Sequence, residues 1–153
     1  MDTRGSKRNG FSLPEMLVVL AILGLAIAVG IPLVSEQVRL AKIRGAADQF
    51  SGDIRAARMI AVSKRATVNL VVYPNPTNRY EIPRTDGTLR SMQLPSGVRI
   101  TSPVATMTIA FLANGAASET TTVFEADVSG GVKERWTVTT SMMGVPTTTH
   151  QRL

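Results

Sequence analysis

Residues 10–34 read Gly10-Phe11-Ser12-Leu13-Pro14-Glu15 and then MLVVLAILGLAIAVGIPLV, a nearly uncharged run broken by one carboxylate. From Met16 to Val34 there is no charge at all. As a helix, Phe11–Val34 would extend roughly 36 Å, enough for a hydrocarbon layer of about 30 Å. The preceding stretch, MDTRGSKRNG, is basic. A basic flank stays cytoplasmic, which places everything after the apolar run on the far side of the membrane.

Glu15 is the anomaly. A carboxylate costs about 2.5–3.5 kcal/mol at a bilayer centre and less near an edge, and such groups normally have a partner. A cut between Gly10 and Phe11 would create one, a free ammonium on Phe11 one helical turn from Glu15. The same amine could reach Glu15 of a neighbouring subunit.

With these residues in view, the segment resembles the class III signal sequence of type IV pilins and pseudopilins. That family has a basic leader ending in Gly, then Phe or Met, and a Glu at the fifth mature position. The resemblance implies cleavage after Gly10 by a prepilin peptidase, N-methylation of Phe11 and an assembly role for Glu15. It also implies other pilins, the inner membrane and its assembly platform as partners. Pro14 departs from the usual aliphatic residue, but in the first turn its missing N–H costs little. Two blander readings compete: an ordinary secretory signal using Ala26-Ile27-Ala28, and a plain single-span anchor. Both leave Glu15 unexplained.

After Pro32 the pattern remains helical. Ile43, Ala47, Phe50, Ile54, Ala57 and Ala61 step by four and three residues, one face of an amphipathic helix. Gly30 and Pro32 should kink the helix, because proline removes a hydrogen bond. From Ala66 the pattern becomes β, with six or seven short strands divided by Pro-Asn-Pro, Asp-Gly, Pro-Ser-Gly, Asn-Gly and Gly-Gly. The expected strands are Thr67–Tyr73, Arg79–Ile82, Leu89–Leu94, Val98–Thr101, Thr106–Leu112, Thr121–Val128 and Arg135–Ser141. In Thr121–Val128, Phe124, Ala126 and Val128 share one face, with Glu125 and Asp127 on the other. The predicted fold is α+β: a long N-terminal helix, kinked near Pro32, packed on an antiparallel sheet domain. Its parts are a cleaved leader (1–10), an assembly half of the helix (11–34), a stem (35–65) and a β domain (66–153). Phe111-x-x-x-Gly115 and a late Gly144 resemble the C-terminal domain of GspH/FimT-like pseudopilins. Strand–Asn-Gly–strand is also a general hairpin signal.

The net charge of +6 is concentrated on the leader and stem. Residues 36–65 carry a net of +4, whereas 66–153 carry seven basic against six acidic residues. A nearly neutral domain gives phosphate binding little to act with. Relatives of the FimT type that bind DNA carry Gly-Arg-x-Arg near the C-terminus, where this chain reads Gly144-Val145-Pro146-Thr147. DNA uptake therefore remains only the rival reading. The chain has no cysteine, which removes disulfides and thiol chemistry. His150 is the only histidine, expected at the surface of a Thr-rich tail. A transition-metal site is correspondingly poor. Glu119, Glu125, Asp127 and Glu134 lack the spacing of a calcium loop. There is no nucleophile elbow or phosphate loop, so no cofactor and no enzyme activity are expected. Trp136 is expected in or beside the core.

Overall fold

The structure is a computed structural model and describes residues 12–127 and 133–153, with the backbone alone for 28–34. The chain divides into two compact units, Met1–Ser35 and Glu36–Leu153. Helix α1 spans Leu13–Lys64 and runs on through Gly30 and Pro32. The predicted kink falls where side chains lie outside the described residues.

In the second unit the stem buries the face its spacing defines. Ile43, Ala47, Phe50, Ile54, Ala57 and Ala61 are all fully buried. Small alanines between Phe50 and the isoleucines let two sheets approach one helix closely. The helix ends in a Schellman-type turn: the Ala66 amide donates to the Ala61 carbonyl at 3.2 Å and the Arg65 amide to Val62 at 3.3 Å. Arg65 takes the left-handed conformation (φ 49°) that glycine usually supplies there.

Among the described residues eight strands follow: β1 Val68–Tyr73, β2 Arg79–Pro83, β3 Leu89–Gln93, β4 Val98–Ser102, β5 Met107–Phe111, β6 Thr120–Asp127, β7 Lys133–Thr140 and β8 Pro146–Arg152. They form two antiparallel four-stranded sheets, ordered β3-β2-β1-β5 and β4-β6-β7-β8. Two expectations are corrected. An eighth strand occupies what reads as a polar tail: Pro146-Thr-Thr-Thr-His-Gln-Arg is an edge strand, whose largely solvated side chains give no apolar alternation. The Asn114-Gly115 turn closes a single antiparallel bridge, Phe111 with Ala117, and does not pair β5 with β6. β5 pairs with β1 and β6 with β4 and β7, so this turn carries the chain between sheets.

Alternation decides which side faces the helix. Val68, Leu70 and Val72 of β1 are buried, as are Phe124 and Ala126 of β6. Val128 lies outside the described residues. Phe50 makes edge-on contacts with Tyr80 of one sheet (4.9 Å) and Phe124 of the other (5.3 Å), so a single stem residue centres the core. Asn78 joins the sheets by a second route. Its side-chain oxygen accepts the Ile100 amide of β4 at 2.9 Å, while its carbonyl accepts the Leu94 amide at 3.0 Å.

Candidate assembly surface

All described side chains from Ser12 to Ile27 are exposed. Ten are large and apolar, from Leu13 at 76% to Val19 at 45%. A soluble surface rarely carries so large an apolar face without a partner or a membrane to cover it. Among the described residues no helix is long and apolar enough to cross a membrane. Phe11 and the side chains of 28–34, which belong to the predicted span, lie outside that description.

Glu15 sits on this face, in the first turn of α1. Its Oε2 accepts the Ser12 amide at 3.4 Å, and its own amide donates to the Ser12 carbonyl at 3.1 Å. Ser12-Leu13-Pro14-Glu15 thus has the outline of a capping box, with the N3 glutamate reaching back to the N-cap. Ser-x-x-Glu ahead of an apolar run is the sequence signature of this local role. The contact is long for a hydrogen bond, so the carboxylate can still accept a stronger cationic donor. The helix N-terminus favours its negative charge as well. Gly10 and Phe11, the predicted cleavage and methylation residues, lie outside the described residues.

The polar residues of the β domain are mostly committed to one another. Arg135 Nη2 lies 2.6 Å from Glu125 Oε1, and Arg99 Nη2 lies 2.5 Å from Asp127 Oδ2. Glu134 is buried. His150 Nε2 contacts its Oε2, and Arg152 Nε lies 3.5 Å from its Oε1. The signal was available only after folding, because cross-strand register brings Arg152 opposite Glu134 and His150 opposite Trp136. Trp136 is half-buried against the core and stacks on His150 with ring centroids 4.6 Å apart. Among the described residues no three His, Cys, Asp or Glu side chains are gathered to hold a metal.

The two glycines singled out in the sequence converge. Gly115 (φ 84°) and Gly144 (φ 67°) each close a tight turn, the Gly115 amide donating to Leu112 at 2.8 Å and the Gly144 amide to Ser141 at 2.8 Å. Both turns press on Arg58 of the stem. A Cβ at Gly144 would lie 2.7 Å from the Gly115 carbonyl and 3.0 Å from Arg58 Cδ. Gly144-Val145-Pro146-Thr147 is therefore a packed turn running into β8, and Arg152 beyond it faces Glu134.

An exposed apolar helix with an N-terminal carboxylate, its stem buried on an antiparallel β domain, defines a type IV pilin-like protein. Residues 46–144, more than half of the chain, match the family described as type II transport protein GspH, and the chain belongs to it. Residues 5–31 match the prokaryotic N-terminal methylation motif. No curated protein and no solved structure matches the chain. The two family matches make it a minor pseudopilin or pilin of type II secretion or type IV pili.

Proposed function

We propose that the chain is made as a prepilin, cut after Gly10 by prepilin peptidase, methylated on the new Phe11 amine and assembled as a non-catalytic filament subunit. Residues 11–34 hold it in the bacterial inner membrane as a single span, with the β domain on the periplasmic side. Lateral packing of apolar helices supplies cohesion in the filament. The Glu15 carboxylate, paired with an N-terminal amine of a neighbour, sets the axial register. Removing one partner of such a pair leaves a charge buried without compensation, which penalises wrong registers.

The observation that carries this reading is the unbroken exposure of the side chains from Ser12 to Ile27 around Glu15. The methylation motif over 5–31 supports it. Glu15→Ala and Glu15→Leu are expected to enter the membrane normally but to lose incorporation into filaments. Normal incorporation of both variants would remove the proposed role.

A further inference from the structure

Most stem cations are tied to the fold or openly solvated, but two are gathered at a cleft. Arg39 and Lys42 stand three residues apart, on one side of the helix. Both line a cavity of about 430 Å³ together with Ser96, Gly97 and Asp127. Ser96 and Gly97 are held by the turn Pro95–Val98, where the Val98 amide donates to the Pro95 carbonyl at 3.1 Å. Gly97 takes the positive φ of 89° that the third residue of a type II turn requires. Apart from its two chain neighbours, no residue comes within 4 Å of the position a Cβ would take there, so the backbone is open to a ligand.

The charge in this cleft is uncompensated. Among the described residues Lys42 Nζ reaches only Ser96 Oγ, at 3.5 Å. Arg39 has no hydrogen bond or ion pair among the described residues, whereas Arg44 pairs with Asp48 and Arg58 with the Gly115 carbonyl. Asp127 is the one acid in the wall among the described residues, and its carboxylate is taken by Arg99 at 2.5 Å. Glu36, one turn before Arg39, makes no ion pair among the described residues.

We propose that this cleft binds a phosphate group, with the Arg39 fork taking two oxygens and Lys42 and Ser96 donating to a third. A planar guanidinium with an adjacent ammonium and hydroxyl suits a tetrahedral oxyanion. Its source is the headgroup of an anionic phospholipid. Arg39 lies five residues past Val34, where the uncharged run ends, and a chain leaving a bilayer meets headgroup phosphate there. The lipid source rests on the membrane reading above; the phosphate site rests on the cleft alone.

The test uses the full chain, isotope-labelled, in uncharged maltoside micelles. The Ser96 and Gly97 amide resonances are followed during separate titrations with phosphatidylglycerol, phosphatidylcholine, inorganic phosphate and a short duplex DNA. Phosphatidylglycerol is expected to shift both resonances saturably, with affinity weakened by about tenfold or more in the Arg39→Gln/Lys42→Gln double variant. Saturation by inorganic phosphate with the same dependence on Arg39 and Lys42 upholds the site and makes soluble phosphate its source. An equal response to phosphatidylcholine, an undiminished response in the double variant, or a response to DNA alone overturns the proposal, as does no response at all. The readout needs neither cleavage at Gly10 nor a filament, so its failure and a failure of the subunit reading are separable.

Discussion

Arg58 Nε donates to the Gly115 carbonyl at 3.1 Å and so ties the stem helix to the turn that carries the chain from one sheet to the other. The aliphatic part of the same side chain lies against Gly144, so one residue closes both turns.

A methyl group is tolerated very differently around this contact. Gly144→Ala meets the Gly115 backbone at 2.7 Å and adopts an unfavourable φ, and is expected to cost about 3 kcal/mol. Gly115→Ala meets mainly the movable end of Arg58 and should cost about 1–2 kcal/mol. Gly52→Ala, in open space on the stem, should stabilise by about 0.5–1 kcal/mol. Chemical denaturation of the three variants in micelles checks the order; an equal effect of Gly144→Ala and Gly52→Ala would contradict it.

Thr122 is buried between the sheets and the stem, yet its hydroxyl has no partner among the described residues. It faces Val138 across the ladder. Thr122→Val keeps the shape and removes the unpaired group, so it should raise stability by about 1 kcal/mol. A loss of stability on denaturation would show that the hydroxyl is satisfied after all.

Tyr80 donates to Asp53 Oδ2 at 2.6 Å, linking the stem to β2. Burial first, and then the Asp53 hydrogen bond and charge, hold the Tyr80 hydroxyl far above its ordinary value. The folded chain therefore keeps this proton after the unfolded chain has begun to lose it, near pH 10. The contribution is fully present below about pH 10 and declines as pH rises further. Tyr80→Phe should cost about 1 kcal/mol at pH 8 and flatten part of the alkaline decline. Denaturation between pH 8 and pH 11 reads this, and an unchanged alkaline slope in the variant would contradict it.

Local pattern carried much of this fold. The stem face from Ile43 to Ala61 was legible because four-and-three spacing has one geometric meaning, and all six residues are buried. The alternation of Phe124 and Ala126 was legible from the period of two that a strand imposes, and both are buried. What depends on distant partners was not. The division into two sheets is set when β1 pairs with β5, some forty residues later, and nothing in the Asn114-Gly115 turn announces it. β8 was hidden because an edge strand can be polar on both faces. The burial of Glu134 follows from register, which brings Arg152 opposite it, and no local pattern marks it. At the N-terminus, Glu15 stood out by its cost in an apolar run, while its capping contact with Ser12 went unnoticed.

The mass and N-terminal residue of the protein recovered from membranes test the account most directly. A mature chain that begins at Phe11 and carries a methyl group on its amine is the predicted result. A chain beginning at Val29 would show an ordinary signal peptide, one retaining Met1 a plain anchor, and either would contradict the account.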